Sequence, residues 1–322
     1  MRLKSLAIPA ALTLSAVCCT KNPSVNHIAE DQLYVRIQPG VVSETKGEYT
    51  TADAIETIDL FIDNQDDAKY SYTNTTFTKG PDGKWNPETP MLWQKPVTEN
   101  QNINVLAISP ALGVKGMTIY DDPIATFEIE QHQSADSRKS DYLMCNFSNE
   151  HESKTRFTKD GKLVLNFIHM TSKLRLVLSF GTEFNHDSIP SANPVKNLKI
   201  DGLPLKFSIE REPISQGYRI NADNSSIDTI YPYEIEWKPA ASQNERCRAV
   251  YECMLVPMPY ADIKLSFTID GVPFTLLGPR NDHLQQNKMH TLNITVGKDE
   301  VSAKTFTSRT WIDGDETDIE TE

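Results

Sequence analysis

The sequence lacks an excess of basic residues. Lys and Arg number 32 against 44 Asp and Glu, which gives a net charge of −12. Nucleic-acid binding requires a basic surface that neutralises phosphates, so this balance argues against a nucleic-acid partner. The sequence also lacks an apolar run of the ~20 residues that a membrane-spanning helix requires. The candidate run, residues 6–17, has only 12 residues.

Cysteine is scarce, with five residues in the chain. Beyond the N-terminal Cys18 and Cys19, the remaining three are an odd number and cannot all pair within the chain. If Cys247 and Cys253 share one strand, they are ~20 Å apart, too far for a disulfide. Their spacing matches no zinc pattern either. The cysteines therefore predict small buried apolar side chains, with neither a disulfide framework nor a metal.

Motifs of catalysis are also missing. The chain has no HExxH, no GxSxG and no glycine-rich phosphate loop, and its seven histidines are scattered. His169 shares a strand face with Leu165 and Phe167, which predicts a buried structural histidine. The acidic runs 63–67 and 313–318 do not match calcium-loop spacing and are interpreted as solvated loops. We expect a protein that is not an enzyme and needs no cofactor.

The N-terminus has the pattern of a secretory signal. Arg2 and Lys4 precede the apolar run, which ends at two consecutive cysteines. A small residue followed by cysteine at this point resembles a bacterial lipobox, in which the cysteine is lipidated. Cys19 fits better than Cys18, because Cys18 is the small residue before it and Val17 is a poor one. We expect a signal and lipobox over 1–19 and a polar tether over 20–32; a plain secretory signal is the alternative.

The rest of the chain has the periodicity of β-strands. Leu174, Leu176, Leu178 and Phe180 alternate with Lys173, Arg175, Val177 and Ser179, which predicts one face toward a core and one toward water. Asp-Gly pairs at 160–161 and 270–271 separate strand-like runs and favour hairpin turns. The predicted fold is all-β, with two β-sandwich domains. We place them at 33–160 and 161–300, followed by a C-terminal extension at 301–322.

Local motifs resemble the fimbrillin family of Bacteroidetes, in particular the Mfa-like fimbrillins that build type V pili. The resemblance spans nearly the whole mature chain, and the motifs occur in the family's order. They are the lipoprotein signal ending at Cys19, KWNPETPMLWQKP with Trp85 and Trp93, followed by NVLAISPA, SDYLMC at 140–145, LVLNFIHMTSKLRLVL at 163–178, CMLVPMPYADIKLSFTIDGVPFTL at 253–276, and NKMHTLNITV at 287–296 with Trp311 beyond it.

The resemblance implies transthyretin-like sandwiches and a structural or adhesive pilus subunit. Such subunits are exported as lipoproteins to the cell surface, anchored in the outer membrane and assembled into a fimbrium with other fimbrial subunits. A host or bacterial surface ligand is a further implied partner. The alternative is a monomeric surface glycan-binding lipoprotein. In that case Trp85 and Trp93 would stack on sugars instead of closing a core.

The family's assembly mechanism implies two sites in this chain. A trypsin-like protease cuts after an arginine in the first strand, and a strand from another subunit fills the groove that is left. Arg36, within Leu33–Ile37, matches the cleavage position, although it could also be a surface arginine on an edge strand. The donor candidate is 303–312, with Phe306, Trp311 and Ile312. Because its alternation is loose, two alternatives to the donor role are kept: a strand that closes its own domain, and a disordered acidic tail.

Overall fold

The structure is a computed structural model that describes residues 33–41, 55–121, 123–134, 140–149, 156–211, 218–258, 263–277 and 284–310. Cys19, Trp311 and Ile312 lie outside the described residues. The described chain is all-β, as predicted, and contains nineteen strands and three single-turn 3-10 segments. Its helical segments include none long and apolar enough to cross a membrane.

The strands follow one another with short connections. In chain order they are β1 Ile37–Val41, β2 Thr57–Asn64, β3 Tyr72–Lys79, β4 Trp85–Pro87, β5 Ile103–Ser109, β6 Ala125–Glu128, β7 Leu143–Asn149, β8 Leu163–His169, β9 Ser172–Phe180, β10 Val195–Pro204, β11 Lys206–Arg211, β12 Tyr218–Ala222, β13 Ile227–Ile230, β14 Tyr233–Lys238, β15 Arg248–Leu255, β16 Lys264–Ile269, β17 Val272–Leu277, β18 Lys288–Val296 and β19 Val301–Thr310.

Four sheets organise these strands. A seven-stranded sheet has the order β1-β8-β7-β5-β2-β3-β4, and a five-stranded sheet has the order β14-β15-β9-β18-β19. A four-stranded sheet, β13-β10-β16-β17, and a three-stranded sheet, β12-β11-β6, complete the set. Within each sheet of seven or five strands, one strand pair is parallel, β1 with β8 and β18 with β9.

The second half of the chain forms a β-sandwich. Apolar side chains of the five-stranded sheet, such as Leu176 and Leu292, form one buried cluster with Ile200 and Phe267 of the four-stranded sheet. These four side chains are almost completely buried. Strand alternation explains the cluster, because every second residue of each strand faces the opposite sheet.

The seven-stranded sheet is apolar on both faces. Leu60 and Val105 face a cluster that also contains Trp93, whereas Phe61 and Leu106 face a cluster shared with the three-stranded sheet. That second cluster also includes Met254 of β15. Buried contacts therefore run between the two halves of the chain.

Sheet membership crosses the predicted domain boundary at 160–161. β8, in the second predicted domain, is an inner strand of the seven-stranded sheet, between β1 and β7. β6, in the first, pairs with β11 through the register Phe127 to Phe207. The division into 33–160, 161–300 and 301–322, like the transthyretin-like topology, stays a prediction.

The two Asp-Gly turns differ. Asp270 and Gly271 both have positive φ, 50° and 81°, and join β16 to β17 in the predicted hairpin. At 160–161 only Gly161 has positive φ, at 77°, and the turn leads to a single bridge between Phe157 and Leu163. The hairpin expected there is reduced to this one bridge, because β8 pairs with β1 and β7 instead.

The predicted solvent face of β9 is largely buried. Val177 is 1% exposed and Arg175 is 8% exposed. Glu252, opposite Arg175 on β15, forms ion pairs with Arg175 at 2.5 Å and with Lys173 at 2.8 Å. Burial opposes the charged form of Glu252, but the charges and hydrogen bonds of Lys173 and Arg175 outweigh it and lower its pKa. The prediction was wrong here because alternation alone does not reveal a cross-strand ion pair.

Candidate functional site

The candidate site is the edge of the seven-stranded sheet formed by residues 33–41. β1 is the outermost strand and pairs in parallel with β8, from Ile37 beside Leu163 to Val41 beside Phe167. Ile37 and Val41 are each 4% exposed and join the apolar cluster beneath the sheet. This edge strand is therefore held chiefly by apolar side chains that water would otherwise contact.

The residues before β1 pair with a different part of the chain. The Val35 N–H donates to the Met91 carbonyl at 3.0 Å, and the Trp93 N–H donates to the Leu33 carbonyl at 2.7 Å. Val35 is buried in the same cluster as Ile37, so both side chains point into the core. Because 91–93 follows β4 at the far edge of the sheet, this pairing links the two ends of the strand order.

Arg36 lies at the point where the chain changes partner. Its carbonyl accepts a hydrogen bond from the Leu163 N–H at 2.7 Å, so the peptide bond to Ile37 is built into the sheet. Its guanidinium donates through Nη2 to the carbonyl of Asp160, and the side chain is half-buried rather than freely outward. A protease therefore reaches this bond only when the edge opens or before it forms.

The turn at 158–162 forms the support for Arg36. The Thr158 hydroxyl bonds the Asp160 carboxylate at 2.6 Å, and Lys162 pairs with the same carboxylate at 2.9 Å. These two interactions lower the pKa of Asp160 to about 2. A Cβ on Gly161 would lie 3.2 Å from Arg36 Nη2 and 3.1 Å from Val97 Cγ2, so glycine is required for close approach as well as for positive φ.

A cut after Arg36 would divide this edge in a way that the sequence did not predict. Leu33–Arg36 lies on the removed side, whereas all of β1 lies on the retained side. The place that Leu33–Arg36 would leave empty is therefore the one beside residues 91–93. The alternating apolar Met91 and Trp93 were a signal for such a partner, but this segment was used only as one of the motifs of the family resemblance.

The donor candidate forms an edge of a different sheet. β19 is the outermost strand of the five-stranded sheet and pairs antiparallel with β18, Phe306 beside Leu292. A register shift near Lys304 places Val301 and Phe306 on the same side, where both pack against the sandwich core. The Phe306 ring lies 5.5 Å from the His290 ring. In this structure the described part of the candidate closes its own sheet, and the donor role stays a prediction.

The other residues that the sequence singled out are buried in a core or pack against one. His169 is fully buried and its Nδ1 lies 2.7 Å from an Asp141 carboxylate oxygen. Trp93 is 3% exposed in the core and Trp85 packs against the same cluster, which confirms the core interpretation and not an exposed sugar platform. The free thiols of Cys145, Cys247 and Cys253 are buried. No group of metal-ligating side chains occurs among the described residues.

Comparison with known proteins gives a consistent result for the family and the fold. A family model described as fimbrillin-like matches residues 45–311. A protein from Bacteroides ovatus ATCC 8483, named for an inferred cell-adhesion function, superposes with a TM-score of 0.57 at 13% identity, covering 87% of this chain and 97% of its own. At that identity the similarity concerns the fold.

A second solved structure is more distant. The fimbrial anchor protein Mfa2 from Porphyromonas gingivalis gives a TM-score of 0.44 at 11% identity, covering 86% of this chain and 97% of its own. No curated protein sequence matches the chain significantly.

Proposed function

Because the chain belongs to the fimbrillin-like family, we propose that it is a structural and adhesive subunit of a fimbrium on the bacterial outer membrane. It is exported as a lipoprotein, anchored through acyl chains on Cys19, and joined to other fimbrial subunits by strand exchange. This role needs assembly surfaces and no catalytic centre. The observation that carries the proposal is the apolar edge at residues 33–41.

Cleavage after Arg36 starts the exchange. Removal of Leu33–Arg36 breaks the hydrogen bonds to 91–93 and takes Val35 out of the core. Each such buried side chain contributes about 1.5 to 3 kcal/mol, so the vacated slot favours a new apolar strand. Unpaired backbone groups at 91–93 provide its first hydrogen bonds.

The incoming strand then replaces β1. β1 has five residues and pairs with β8 alone, so once 33–36 is gone only this one short pairing has to be exchanged. A strand that begins pairing at 91–93 and continues along β8 recovers both sets of hydrogen bonds and refills the places of Val35, Ile37 and Val41.

The donated strand is 303–312, which comprises most of β19 and the two residues after it and contains Phe306, Trp311 and Ile312. Val301 and Phe306 are the half-buried apolar contacts of β19 with its own core, and most of its other side chains are exposed. Detaching β19 therefore costs less apolar burial than detaching an inner strand. Exchange of an identical element between subunits gives a polymer when the contact is head-to-tail.

The test is the mature N-terminus of the protein from its native envelope, with and without an inhibitor of arginine-specific proteases. We expect a terminus at Ile37 that reverts to a lipidated Cys19 under the inhibitor. Arg36→Gln should block cleavage and polymer formation, whereas Arg219→Gln, on an exposed strand, should leave both unchanged. A lipidated Cys19 under both conditions would rule out cleavage-driven polymerisation.

A further inference from the structure

The outer face of the five-stranded sheet carries an open cleft of about 660 Å³ at the end where β14 leads into β15. Its floor includes Ser179 of β9, Arg248 of β15 and Thr295 of β18, and Lys304 of β19 forms part of one side. Cavities of ~300 to 1,000 Å³ are typical of ligand sites. We call this cavity the basic cleft.

Positive charge dominates the basic cleft. Lys238, Arg246 and Lys304 are exposed along it, and none of them has a carboxylate partner within the described ranges. Arg248 pairs with Glu236 through Nη2 at 2.6 Å, while its buried Nε has no hydrogen-bond partner there. In a chain of net charge −12, three unpaired cations around one cavity form a local attractor for anions.

Among the described residues that line the cleft, Glu245 is the one carboxylate, and it forms hydrogen bonds within its own turn. The Glu245 side chain accepts hydrogen bonds from the Ala241 N–H and the Ser242 hydroxyl, both at 3.4 Å. It therefore belongs to the turn before β15 and does not pair with the three cations.

Neutral hydrogen-bonding groups lie between the cations. Asn293 donates to the Thr305 hydroxyl at 2.8 Å, which leaves the Asn293 carbonyl oxygen and the Thr305 hydrogen for a ligand. The hydroxyls of Ser179 and Thr295 line the same floor. Cations interleaved with hydroxyl and amide groups suit a ligand that has both anionic groups and many hydroxyls.

We propose that the basic cleft binds an acidic saccharide, with its carboxylate or sulfate groups on Lys238, Arg246 and Lys304 and its hydroxyls on the neutral groups of the floor. A site of this kind is separate from the edge at 33–41, and it belongs to the unassembled subunit, in which β19 still pairs with β18.

An acidic peptide is less well matched to this surface. Extended peptides bind sheets through unpaired backbone groups. β9, β15 and β18 of the floor are inner strands with a neighbour on each side, so their backbone is already paired. A ligand can therefore bind the floor only through side chains, and this mode of binding suits a saccharide better than an extended peptide. Because Lys304 and Thr305 belong to β19, the cleft is complete while β19 pairs with β18.

The experiment measures binding to the unassembled full chain by calorimetry at low salt. The probes are a heparin-derived tetrasaccharide for sulfate, tetragalacturonate for carboxylate, neutral maltotetraose, and a peptide with the sequence of residues 313–322. We expect one or both acidic saccharides to bind and the neutral one not to bind. The triple variant K238Q/R246Q/K304Q should bind about tenfold more weakly, because it removes three charge pairs with the anionic groups at once.

The matched control is K69Q/K159Q/K264Q, which removes three exposed lysines elsewhere and changes the net charge equally. It should bind within about twofold of the unmodified chain. Equal loss in both triple variants would overturn the site in favour of non-specific attraction. The proposal also fails if none of the saccharides binds, if maltotetraose binds equally well, or if the peptide binds more tightly than both acidic saccharides.

Discussion

β1 and β19 each form one edge of a sheet, but they meet their sheets differently. β1 is short, parallel to its neighbour, and buries Ile37 and Val41 almost completely. β19 has ten residues, runs antiparallel, and contacts its core through the half-buried Val301 and Phe306. One edge is apolar and the other is mostly polar.

The difference indicates which of the two edge strands can detach from its sheet, and at which edge a lost strand has to be replaced. A polar strand loses little when it moves into water, because its side chains are already solvated. An apolar slot left without its strand exposes both apolar surface and unpaired backbone groups. In the proposed assembly, β19 is accordingly the element that departs and the site of residues 33–41 is the place that accepts.

The largest expected effect is at the apolar edge. Ile37→Ala removes a buried side chain from a packed cluster and should lower the free energy of unfolding by about 2 to 5 kcal/mol. Urea denaturation measures it. Gln38→Ala, on the exposed side of the same strand, should change stability by no more than about 0.5 kcal/mol. Equal effects from the two substitutions would contradict the burial difference on which the comparison rests.

The corresponding change at the polar edge should be smaller. Phe306→Ala removes a half-buried ring and should cost about 1.5 to 2.5 kcal/mol, half of the cost for a fully buried phenylalanine. The same denaturation experiment measures this cost, with the exposed Ser308→Ala as control. If Phe306→Ala destabilised the chain as much as Ile37→Ala, β19 would be an integral strand and a poor candidate for donation.

Much of the fold followed from apolar alternation. β9 and β16 were predicted because every second residue is apolar, and the Asp270-Gly271 turn was predicted from its residue types alone. β3, TNTTFTK after its first tyrosine, was missed because threonine and asparagine hide the period. β10 was missed because a bulge and the positive φ of Asn197 interrupt its alternation.

The site was less predictable than the fold. Arg36 was identified from a local motif, but its surroundings come from 91–93, 158–162 and β8, which lie far along the chain. Parallel pairing of β1 with β8 leaves no local mark, since no turn connects the two strands. The basic cleft combines strands from five places, so its four cations were visible in the sequence only as scattered charges.

The last prediction concerns the turn that supports Arg36, and its effect on stability is the smallest. Gly161→Ala adds a Cβ at φ +77°, which costs about 1 to 2 kcal/mol, and brings it against Arg36 Nη2 and Val97 Cγ2. Gly83→Ala has nearly the same φ, +76°, but nothing within 4 Å of the added Cβ. The two variants should therefore share the backbone cost and differ in how they affect Arg36.

Limited digestion with an arginine-specific protease separates these two contributions. Displacement of the guanidinium from the Asp160 carbonyl loosens the point where residues 33–36 join β1, so Gly161→Ala should be cut after Arg36 faster than Gly83→Ala at equal stability. Faster cutting would mean that the turn at 158–162 controls opening of the apolar edge. Equal rates would mean that opening of the apolar edge depends only on its pairing with 91–93 and β8. The contrast between the two edges would then rest on strand pairing and burial, with no contribution from Arg36.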